Sequence, residues 1–286
     1  MDLPVVPPIE PMLAKAQVKV PDEAGVWSYE PKWDGFRALA FRDGDEVVLQ
    51  SRSGKELGRY FPELLDSLRD ELADRCVLDG EVVVPREIDG RVRLDWESLS
   101  QRIHPAESRV RMLAEHTPAR FIAFDLLALG DDNLMDRPFS ERRAALARAL
   151  GSGPSFHVTP ATTDIATARR WFDEFEGAGL DGLIAKGLTL TYQPDKRVMF
   201  KIKHQRTADC VVAGYRLHKS GQDAVGSLLL GLYTDDGELQ MVGGAASFSV
   251  KDRLKLLADL EPLREGDEVR EGDPSRWNSA ADKRWI

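Results

Sequence analysis

Two apolar runs with acidic residues inside them constrain the fold of this chain more than any other feature. Residues 76–84 have the sequence CVLDGEVVV, and residues 120–129 have the sequence RFIAFDLLAL. Runs of this length that are rich in β-branched, leucine and aromatic residues predict buried strands. The first run carries the tripeptide DGE in its middle, and the second carries Asp125. We therefore expect the core of the chain to be built around strands.

The remainder of residues 1–204 alternates between strand and helix signals. Residues 36–42 and 46–51 alternate in polarity around an Asp-Gly-Asp sequence, which predicts a β-hairpin. Ser140 is predicted to cap the N-terminus of a helix, and Gly151 to stop it. Further elements are expected as strands at 26–29, 182–186 and 198–203, as helices at 61–72, 141–150 and 166–175, and as an extended proline-rich segment at 4–11. This mixture predicts an α+β domain of antiparallel sheets with helices.

The pattern changes near residue 205. Strands are expected at 208–217, 226–233 and 238–244, followed by a helix at 250–260 that Ser249 caps. Strands with one interposed helix predict a small β-barrel of the oligonucleotide-binding (OB) kind, which needs about five strands. Either the acidic tail supplies the missing strands or the barrel is incomplete. We predict two domains, 1–204 and 205–286.

Composition predicts a cytoplasmic protein. The chain has 286 residues, of which 42% are hydrophobic and 30% charged. No apolar stretch approaches the ~18 residues of a membrane span, and the N-terminus lacks the charged segment of a signal peptide. Cys76 and Cys210 have neither disulfide-framework nor metal-ligand spacing, and we interpret both as buried thiols.

The charge is distributed unevenly along the chain. The net charge is −9, yet residues 186–219 hold eight basic and two acidic residues, whereas residues 220–286 hold eight basic and thirteen acidic residues. A basic band within an acidic protein is typical of a localised binding site for a polyanion. A solvated surface would have the same composition, so charge alone does not decide between them.

Lys32 is the candidate nucleophile, within the sequence EPKWDGFR at 30–37. A lysine amine attacks phosphorus only when deprotonated, and its ordinary pKa of about 10.4 leaves little free amine at neutral pH. Lys201 and Lys203 alternate on a predicted strand and so share one face. If they face Lys32, their charges lower its pKa and neutralise nucleotide phosphates.

Other side chains complete a hypothetical nucleotide site. Glu81 and Asp181 are candidate ligands of Mg²⁺, and Phe124 is placed to stack on a base. Ordinary interpretations compete with these: Lys201 and Lys203 as edge-strand charges, Phe124 as core, and each Asp-Gly pair as a turn. The chain has no phosphate-binding P-loop, since position 49 is leucine.

The motifs, in their order, resemble those of the covalent nucleotidyltransferase superfamily, and within it the ATP-dependent DNA ligases of the bacterial end-joining type. The matching segments are KWDG at 32–35, SRSGK at 51–55, LDGE at 78–81, FDLL at 124–127, RPFSERR at 137–143, DGLIAK at 181–186 and FKIK at 200–203. One such motif is weak evidence, whereas an ordered series is specific.

The resemblance implies a nucleotidyltransferase domain at 1–204, an OB-fold at 205–286, and DNA repair as the function. It implies that Lys32 receives AMP from ATP, which then passes to the 5′-phosphate of nicked duplex DNA before the 3′-hydroxyl seals the strand. Mg²⁺ or Mn²⁺ is the implied metal, and end-joining proteins are implied partners. The implied ligands are Glu30 and Phe124 for adenine, Arg37, Arg52 and Glu81 for the ribose and metal region, and Lys201 and Lys203 for phosphates.

Two departures from the family pattern affect these expectations. Asp181 replaces the usual glutamate and is one methylene shorter, so its reach to a metal differs. The last family motif, R-x-D-K, is matched only in part by Asp282-Lys283, because position 280 is alanine where the motif has arginine. We therefore expect that the chain ends before that motif, that AMP loading is impaired more than sealing, and that no separate N-terminal DNA-clamping domain is present.

Two alternatives stay open. An RNA ligase or an RNA-capping guanylyltransferase uses the same lysine chemistry, and a non-catalytic nucleic-acid-binding module would use only the basic band and the barrel.

Overall fold

A computed structural model describes residues 1–88, 90–174, 180–204, 207–219, 223–264, 270–271 and 284–285. Internal contacts divide the chain into two compact units, Met1–Gln205 and Arg206–Ile286. Each unit has its own buried apolar cluster.

The first unit contains strands and helices in mixed order. Its strands are β1 (Leu13–Gln17), β2 (Trp27–Pro31), β3 (Phe36–Asp43), β4 (Glu46–Ser51), β5 (Arg75–Val83), β6 (Pro85–Ile88), β7 (Arg91–Leu94), β8 (Arg120–Leu129), β9 (Asp132–Asn133), β10 (Phe156–Val158), β11 (Leu183–Gly187) and β12 (Arg197–Ile202). Its helices are α1 (Pro62–Glu71), α2 (Trp96–Gln101), α3 (Glu107–His116), α4 (Phe139–Ala149) and α5 (Ile165–Glu174).

Two sheets organise this unit. The larger has the order β10-β8-β5-β3-β4, with β9 paired to β8, and the smaller has the order β1-β12-β11-β2. The pairs β3–β4, β3–β5 and β5–β8 are all antiparallel. The chain passes from the smaller to the larger sheet between β2 and β3, across residues 32–35. The predicted nucleophile therefore lies on the connection between the two sheets.

The predicted buried strands are confirmed as the centre of the larger sheet. Most side chains of β5 and β8 are buried, and α1 and α4 contribute Leu64, Leu68 and Leu146 to the same apolar cluster. Gly80 on β5 lies opposite Ala123 on the neighbouring strand β8, and a Cβ there would lie 2.5 Å from the carbonyl oxygen of Ile122. The close packing of these strands therefore requires glycine at this position.

Several local predictions are confirmed and others are wrong. The hairpin forms as β3 and β4, and Ser249 caps its helix by accepting a hydrogen bond from the backbone N–H of Asp252. Ser140 does not cap α4, because the helix begins at Phe139, two residues earlier than predicted, and Pro138 occupies the N-cap position. The hairpin β6–β7 and the helices α2 and α3 were not predicted, since their sequences are short and polar.

The second unit contains a three-stranded antiparallel sheet packed against one helix. Its elements are β13 (Val211–Leu217), β14 (Val225–Tyr233), β15 (Leu239–Ala245), α6 (Val250–Leu260), β16 (Arg270–Glu271) and β17 (Arg284–Trp285). The strand order is β13-β14-β15, and β16 pairs with β17. Over its described ranges this unit shows a three-stranded sheet and no closed barrel, so the OB-fold stays a prediction. The partial motif echo at 280–283 lies outside the described residues.

Two predictions from composition are tested by the structure. Cys76 is buried as predicted, but Cys210 is partly exposed, so that prediction was wrong for the second thiol. No helix in the described part of the chain is long and apolar enough to cross a membrane.

The substitution Gly80→Ala tests the close packing of β5 on β8. The added methyl group must displace the Ile122 carbonyl or the Phe121 ring, so we expect the free energy of unfolding to fall by about 1–3 kcal/mol. Gly151→Ala is the matched control, because a Cβ there meets nothing within 4 Å, and we expect a change within about 0.5 kcal/mol. Chemical denaturation measures both, and equal stability of the two variants would contradict this account.

Candidate active site

A cavity of about 220 Å³ lies in the first unit, and both sheets contribute to its wall. Seven of the nine predicted site residues line it, namely Glu30, Lys32, Arg37, Arg52, Glu81, Phe124 and Lys201. The other two, Asp181 and Lys203, are connected to it through salt bridges that begin at Lys32. Residues far apart in the sequence are thus brought together around one cavity.

Backbone hydrogen bonds fix Lys32 beside residues 181 and 182. The N–H of Lys32 donates to the carbonyl of Gly182 at 2.8 Å, and the N–H of Asp181 donates to the carbonyl of Lys32 at 3.0 Å. Gly182 has φ +106°, and a Cβ there would lie 2.0 Å from the carbonyl oxygen of Ile202. Only glycine fits this position. The Asp-Gly sequence at 181–182 therefore reflects close backbone packing and not a solvent-exposed turn.

Gly35 has a similar role on the other side of Lys32. A Cβ at this position would lie 2.2 Å from the carbonyl oxygen of Val82 on β5. The absence of a side chain lets the start of β3 approach β5 closely, next to Glu81. The spacing of lysine and glycine in the KWDG sequence therefore reflects a packing requirement between strands.

The amine of Lys32 contacts a carboxylate that is shared with a second lysine. Its Nζ lies 2.9 Å from Oδ2 of Asp181 and 3.9 Å from Oδ1 of Asp34, and Lys203 pairs with the same Oδ2 of Asp181. Burial alone would raise the pKa of Asp181, but hydrogen bonds from Lys203 and Lys32 outweigh it and the pKa is lowered. The prediction that Lys203 acts on Lys32 directly was incomplete, since a carboxylate lies between the two ammonium groups.

Lys201 and Lys203 project from the same face of the chain, as expected. Ile202 between them is fully buried in the smaller sheet. Lys201 lines the cavity, whereas Lys203 is about half exposed. Lys201 near the end of β12 and Lys203 just after the strand thus place two positive charges on the side of Lys32.

A buried ion pair forms another part of the cavity wall. The Oε2 atom of Glu30 accepts from the Nζ of Lys186 at 2.8 Å, and both side chains are 2% exposed. Lys186 also donates to the carbonyl of Phe124 at 3.1 Å and lies 4.7 Å from the centre of its ring. Burial raises the pKa of Glu30, and the charge of Lys186 opposes that rise. The second oxygen, Oε1, is buried and accepts no hydrogen bond from any described residue.

Arg37 is held in position by a buried network. Its Nε and Nη2 each donate to Asp79 at 2.6 Å, and the hydroxyl of Tyr192 donates to the same carboxylate at 2.7 Å. The guanidinium of Arg37 lies 4.5 Å from the centre of the Phe124 ring. Arg37 therefore reaches the cavity as a fixed charge beside an aromatic surface, and Asp79 already occupies its two-pronged hydrogen-bonding edge.

Glu81 is the cavity carboxylate suited to a divalent cation. Burial raises its pKa to about 7, and the positive charges of Arg37 and Lys32 limit the rise. No group of three or more His, Cys, Asp or Glu side chains that could hold a metal occurs among the described residues. Mg²⁺ typically takes one or two carboxylates and completes its shell with water and phosphate oxygens. This donor set fits a cation bound together with a phosphate.

The sequence prediction omitted several residues of the cavity wall. These include Lys186, Trp33, Arg197 and the backbone around Met12, where β1 extends the smaller sheet beside β12. Lys186 lies diagonally across from Glu30 on the paired strands β11 and β2. The alternation of β11 could have shown that Lys186 is on the same face as the residue opposite Glu30. The indole N–H of Trp33 donates to the hydroxyl of Thr159 at 2.8 Å, a contact that sequence separation concealed.

The lining of the cavity has a positive charge balance. It includes six basic side chains, at positions 32, 37, 52, 186, 197 and 201, and two acidic ones, at 30 and 81. Such a cavity attracts a polyanion. Phe124 and Glu30 also line the cavity. The ring of Phe124 adds an aromatic surface and Oε1 of Glu30 adds a hydrogen-bond acceptor, and both suit a nucleobase that carries an amino group. The arrangement is therefore suited to a nucleotide whose phosphates lie near Lys32.

Comparisons with known proteins give a consistent result. The family model described as the ATP dependent DNA ligase domain matches residues 11–203. The chain is 75% identical to DNA ligase C1 of Mycolicibacterium smegmatis over 285 residues, covering 100% of this chain and 82% of the relative. It is 62% identical to DNA ligase C of Mycobacterium tuberculosis over 286 residues, covering 98% of this chain and 76% of the relative.

A solved structure resembles the chain as well. Mycobacterial DNA ligase D complexed with ATP and MES is similar with a TM-score of 0.54 and 29% identity, over 97% of this chain and 85% of the other. The mixed α+β fold with its two sheets is thus that of the nucleotidyltransferase domains of ATP-dependent ligases.

The raised pKa of Glu81 predicts a pH-dependent stability. Because its pKa rises from 4.5 to about 7 on folding, the native state retains a proton that the unfolded chain releases between these values. The free energy of unfolding therefore falls as the pH rises from about 4.5 to about 7, and this contribution is constant above that window. Glu81→Gln cannot titrate and lacks this contribution.

Urea denaturation in EDTA at pH values from about 5 to 8 measures this difference. We expect the stability of the parent to decline by about 1–3 kcal/mol relative to Glu81→Gln across the window. A difference between the two proteins that does not change with pH would show that Glu81 keeps its ordinary pKa.

Proposed function

This chain belongs to the ATP-dependent DNA ligases, and on that basis we propose that Lys32 is the nucleophile that receives AMP from ATP. The observation that carries the proposal is the amine of Lys32 in a cavity lined mainly by basic side chains, next to the Asp181–Lys203 salt bridge.

The first reaction is the transfer of an adenylyl group to Lys32. The deprotonated amine attacks the α-phosphorus of ATP, a nitrogen–phosphorus bond forms, and the bond to the β-phosphate oxygen breaks to release pyrophosphate. Asp181 is the group closest to the proton that Lys32 must lose, with its Oδ2 at 2.9 Å. We propose that bound phosphates take over the ion pair of Lys203, so that Asp181 keeps only its hydrogen bond from Lys32 and can accept the proton.

The second and third reactions use nicked duplex DNA as substrate. The 5′-phosphate of the nick attacks the phosphorus of lysyl-AMP, which releases Lys32 and leaves AMP on the DNA end. The 3′-hydroxyl then attacks the 5′-phosphorus, and AMP departs as the strand is sealed. Positioning and charge neutralisation account for most of the rate in such phosphoryl transfers.

We assign the base-binding part of the cavity to Glu30 and Phe124. The free Oε1 of Glu30 is a buried acceptor that an exocyclic amino group can satisfy, and the ring of Phe124 offers a stacking surface. Adenine has an amino group at the corresponding edge, whereas guanine presents a carbonyl oxygen there, which would face another acceptor. This pairing supports ATP as the nucleotide.

We assign the sugar and phosphates to the basic side chains. Lys201 in the cavity wall and Lys203 beside Asp181 would bind phosphate oxygens. Arg52 and Arg37 would lie beside the sugar, and Arg37 contributes a fixed charge next to Phe124. Glu81 and Asp181 would hold the divalent cation, which when bound neutralises charge on the phosphates. The shorter side chain of Asp181 and its two lysine partners favour an indirect contact through water.

The domain assignment extends the same proposal to the whole chain. Residues 1–204 act as the adenylation domain, and residues 205–286 act as an OB-fold that binds duplex DNA. The three strands and the helix of the second unit support this assignment. A role in DNA repair beside end-joining proteins stays a prediction from the motif pattern.

Intact mass spectrometry tests the nucleophile. After incubation with ATP and Mg²⁺, we expect the parent protein to gain one adenylyl group and Lys32→Ala to gain none, because no other amine replaces the nucleophile. Lys15→Ala, an exposed lysine of β1, is the matched control and should load as the parent does. An adduct that persists in Lys32→Ala would exclude this residue.

Labelled nucleotides and nicked substrates separate the alternatives. We expect label from ATP and not from GTP, followed by sealing of nicked DNA and not nicked RNA. Label from GTP would favour a capping guanylyltransferase, and sealing of RNA alone would favour an RNA ligase. A parent that forms no adduct, with a Lys32→Ala variant that binds DNA unchanged, would indicate a binding module.

A further inference from the structure

The hairpin β6–β7 brings two arginines directly opposite each other. Arg86 on β6 pairs in register with Arg93 on β7, and both side chains are exposed. Residues opposite each other in an antiparallel pair share one face with their Cβ atoms about 5 Å apart, and like charges there destabilise the pair. An isolated two-stranded hairpin is only marginally stable. The sequence therefore places a repulsive pair on a two-stranded sheet that no third strand of the described residues extends.

One carboxylate compensates for only part of this charge. Oδ2 of Asp95 accepts from Nη1 of Arg86 at 2.8 Å, while both oxygens of Asp95 also bind Ser98 at the start of α2. Within the described ranges no carboxylate forms a salt bridge with Arg93. The face of the hairpin that carries Arg86 and Arg93, here called the hairpin face, thus keeps a net positive charge.

The base of this hairpin is attached to the strand that enters the cavity. β5 carries Glu81 and leads into β6 after Val84, and the N–H of Asp95 donates to the carbonyl of Val84 at 2.8 Å. Trp96 follows directly and contacts Phe36 edge-on, with ring centres 5.5 Å apart. Phe36 adjoins Gly35 of the KWDG sequence. The base of the hairpin is therefore packed against the segment that positions Lys32.

We propose that the hairpin face binds the phosphodiester backbone of nicked duplex DNA, a contact that holds the nick beside Lys32. The proposal rests on the function proposed above, because it concerns the polyanionic substrate of that reaction. Guanidinium groups bind phosphate oxygens in a two-pronged geometry. A phosphate between Arg86 and Arg93 converts their repulsion into two attractive contacts, and this explains why a marginal hairpin carries both arginines.

Fluorescence anisotropy with a labelled nicked duplex tests the contact in the absence of ATP and metal. Arg86→Gln/Arg93→Gln removes two phosphate contacts. We expect binding to weaken about 10-fold or more near 0.1 M salt, and the slope of log K against log salt to become shallower by about 1.8. An unchanged affinity and slope would overturn the proposal.

A matched control removes the same charge elsewhere. Arg148→Gln/Arg169→Gln changes two exposed arginines on α4 and α5, and we expect the salt slope to change by less than half as much as in the hairpin variant. An equal change in both variants would indicate a general charge effect and would also overturn the proposal.

Two further measurements separate this proposal from others. Lysyl-AMP formation from ATP should be the same in the hairpin variant as in the parent protein. If the parent itself forms no lysyl-AMP, the proposed function is refuted, while the anisotropy measurement still tests the DNA contact. Arg93→Gln keeps the Arg86–Asp95 salt bridge and should unfold at the same temperature as the parent or higher. A lower temperature would show that Arg93 stabilises the fold and would count against a binding role.

Discussion

The site depends on the close approach of backbone segments around Lys32. The segment at 32–35 crosses from the smaller to the larger sheet, and it is fixed by hydrogen bonds to residues 181 and 182 on one side and by the packing of Gly35 on Val82 on the other. Side chains at 35 or 182 would force these segments apart. Because a nucleophile must be placed to within about half an ångström, the glycines matter to the proposed chemistry of Lys32 although they take no part in it.

Buried ion pairs give the cavity its fixed polarity. Glu30 with Lys186, Asp79 with Arg37, and Asp125 with Arg142 are three such pairs in the first unit. Replacing a buried pair by apolar residues often costs nothing or stabilises a protein, so these pairs are weak evidence of a stability role. They do hold charges and hydrogen-bonding atoms in place before a substrate arrives, and such preorganised groups need no reorganisation during the reaction. Glu30, Lys186 and Arg37 line the cavity itself, and their placement favours this functional reason.

The sequence predicted much of this arrangement because its strongest signals were local. The runs that became β5 and β8 and the alternation of β3 and β4 are patterns within ten residues, and the structure confirms them. The salt bridge between Lys32 and Asp181 joins residues from distant segments, and no local pattern shows that one carboxylate would serve two lysines. Lys186 was missed as a site residue for a similar reason, since its role depends on which strand lies beside β11.

Local conflicts with ordinary packing rules point to the parts of the chain that act on a substrate. A buried acceptor without a donor, at Oε1 of Glu30, and two arginines opposite each other on β6–β7 both cost stability within the described structure. In the proposed reactions, an amino group that enters the cavity ends the first conflict, and a phosphate at the hairpin ends the second. Natural sequences tend to break local rules at functional sites. A nucleotide and a DNA backbone would relieve different conflicts, so the two features support successive substrates in the proposed reaction sequence.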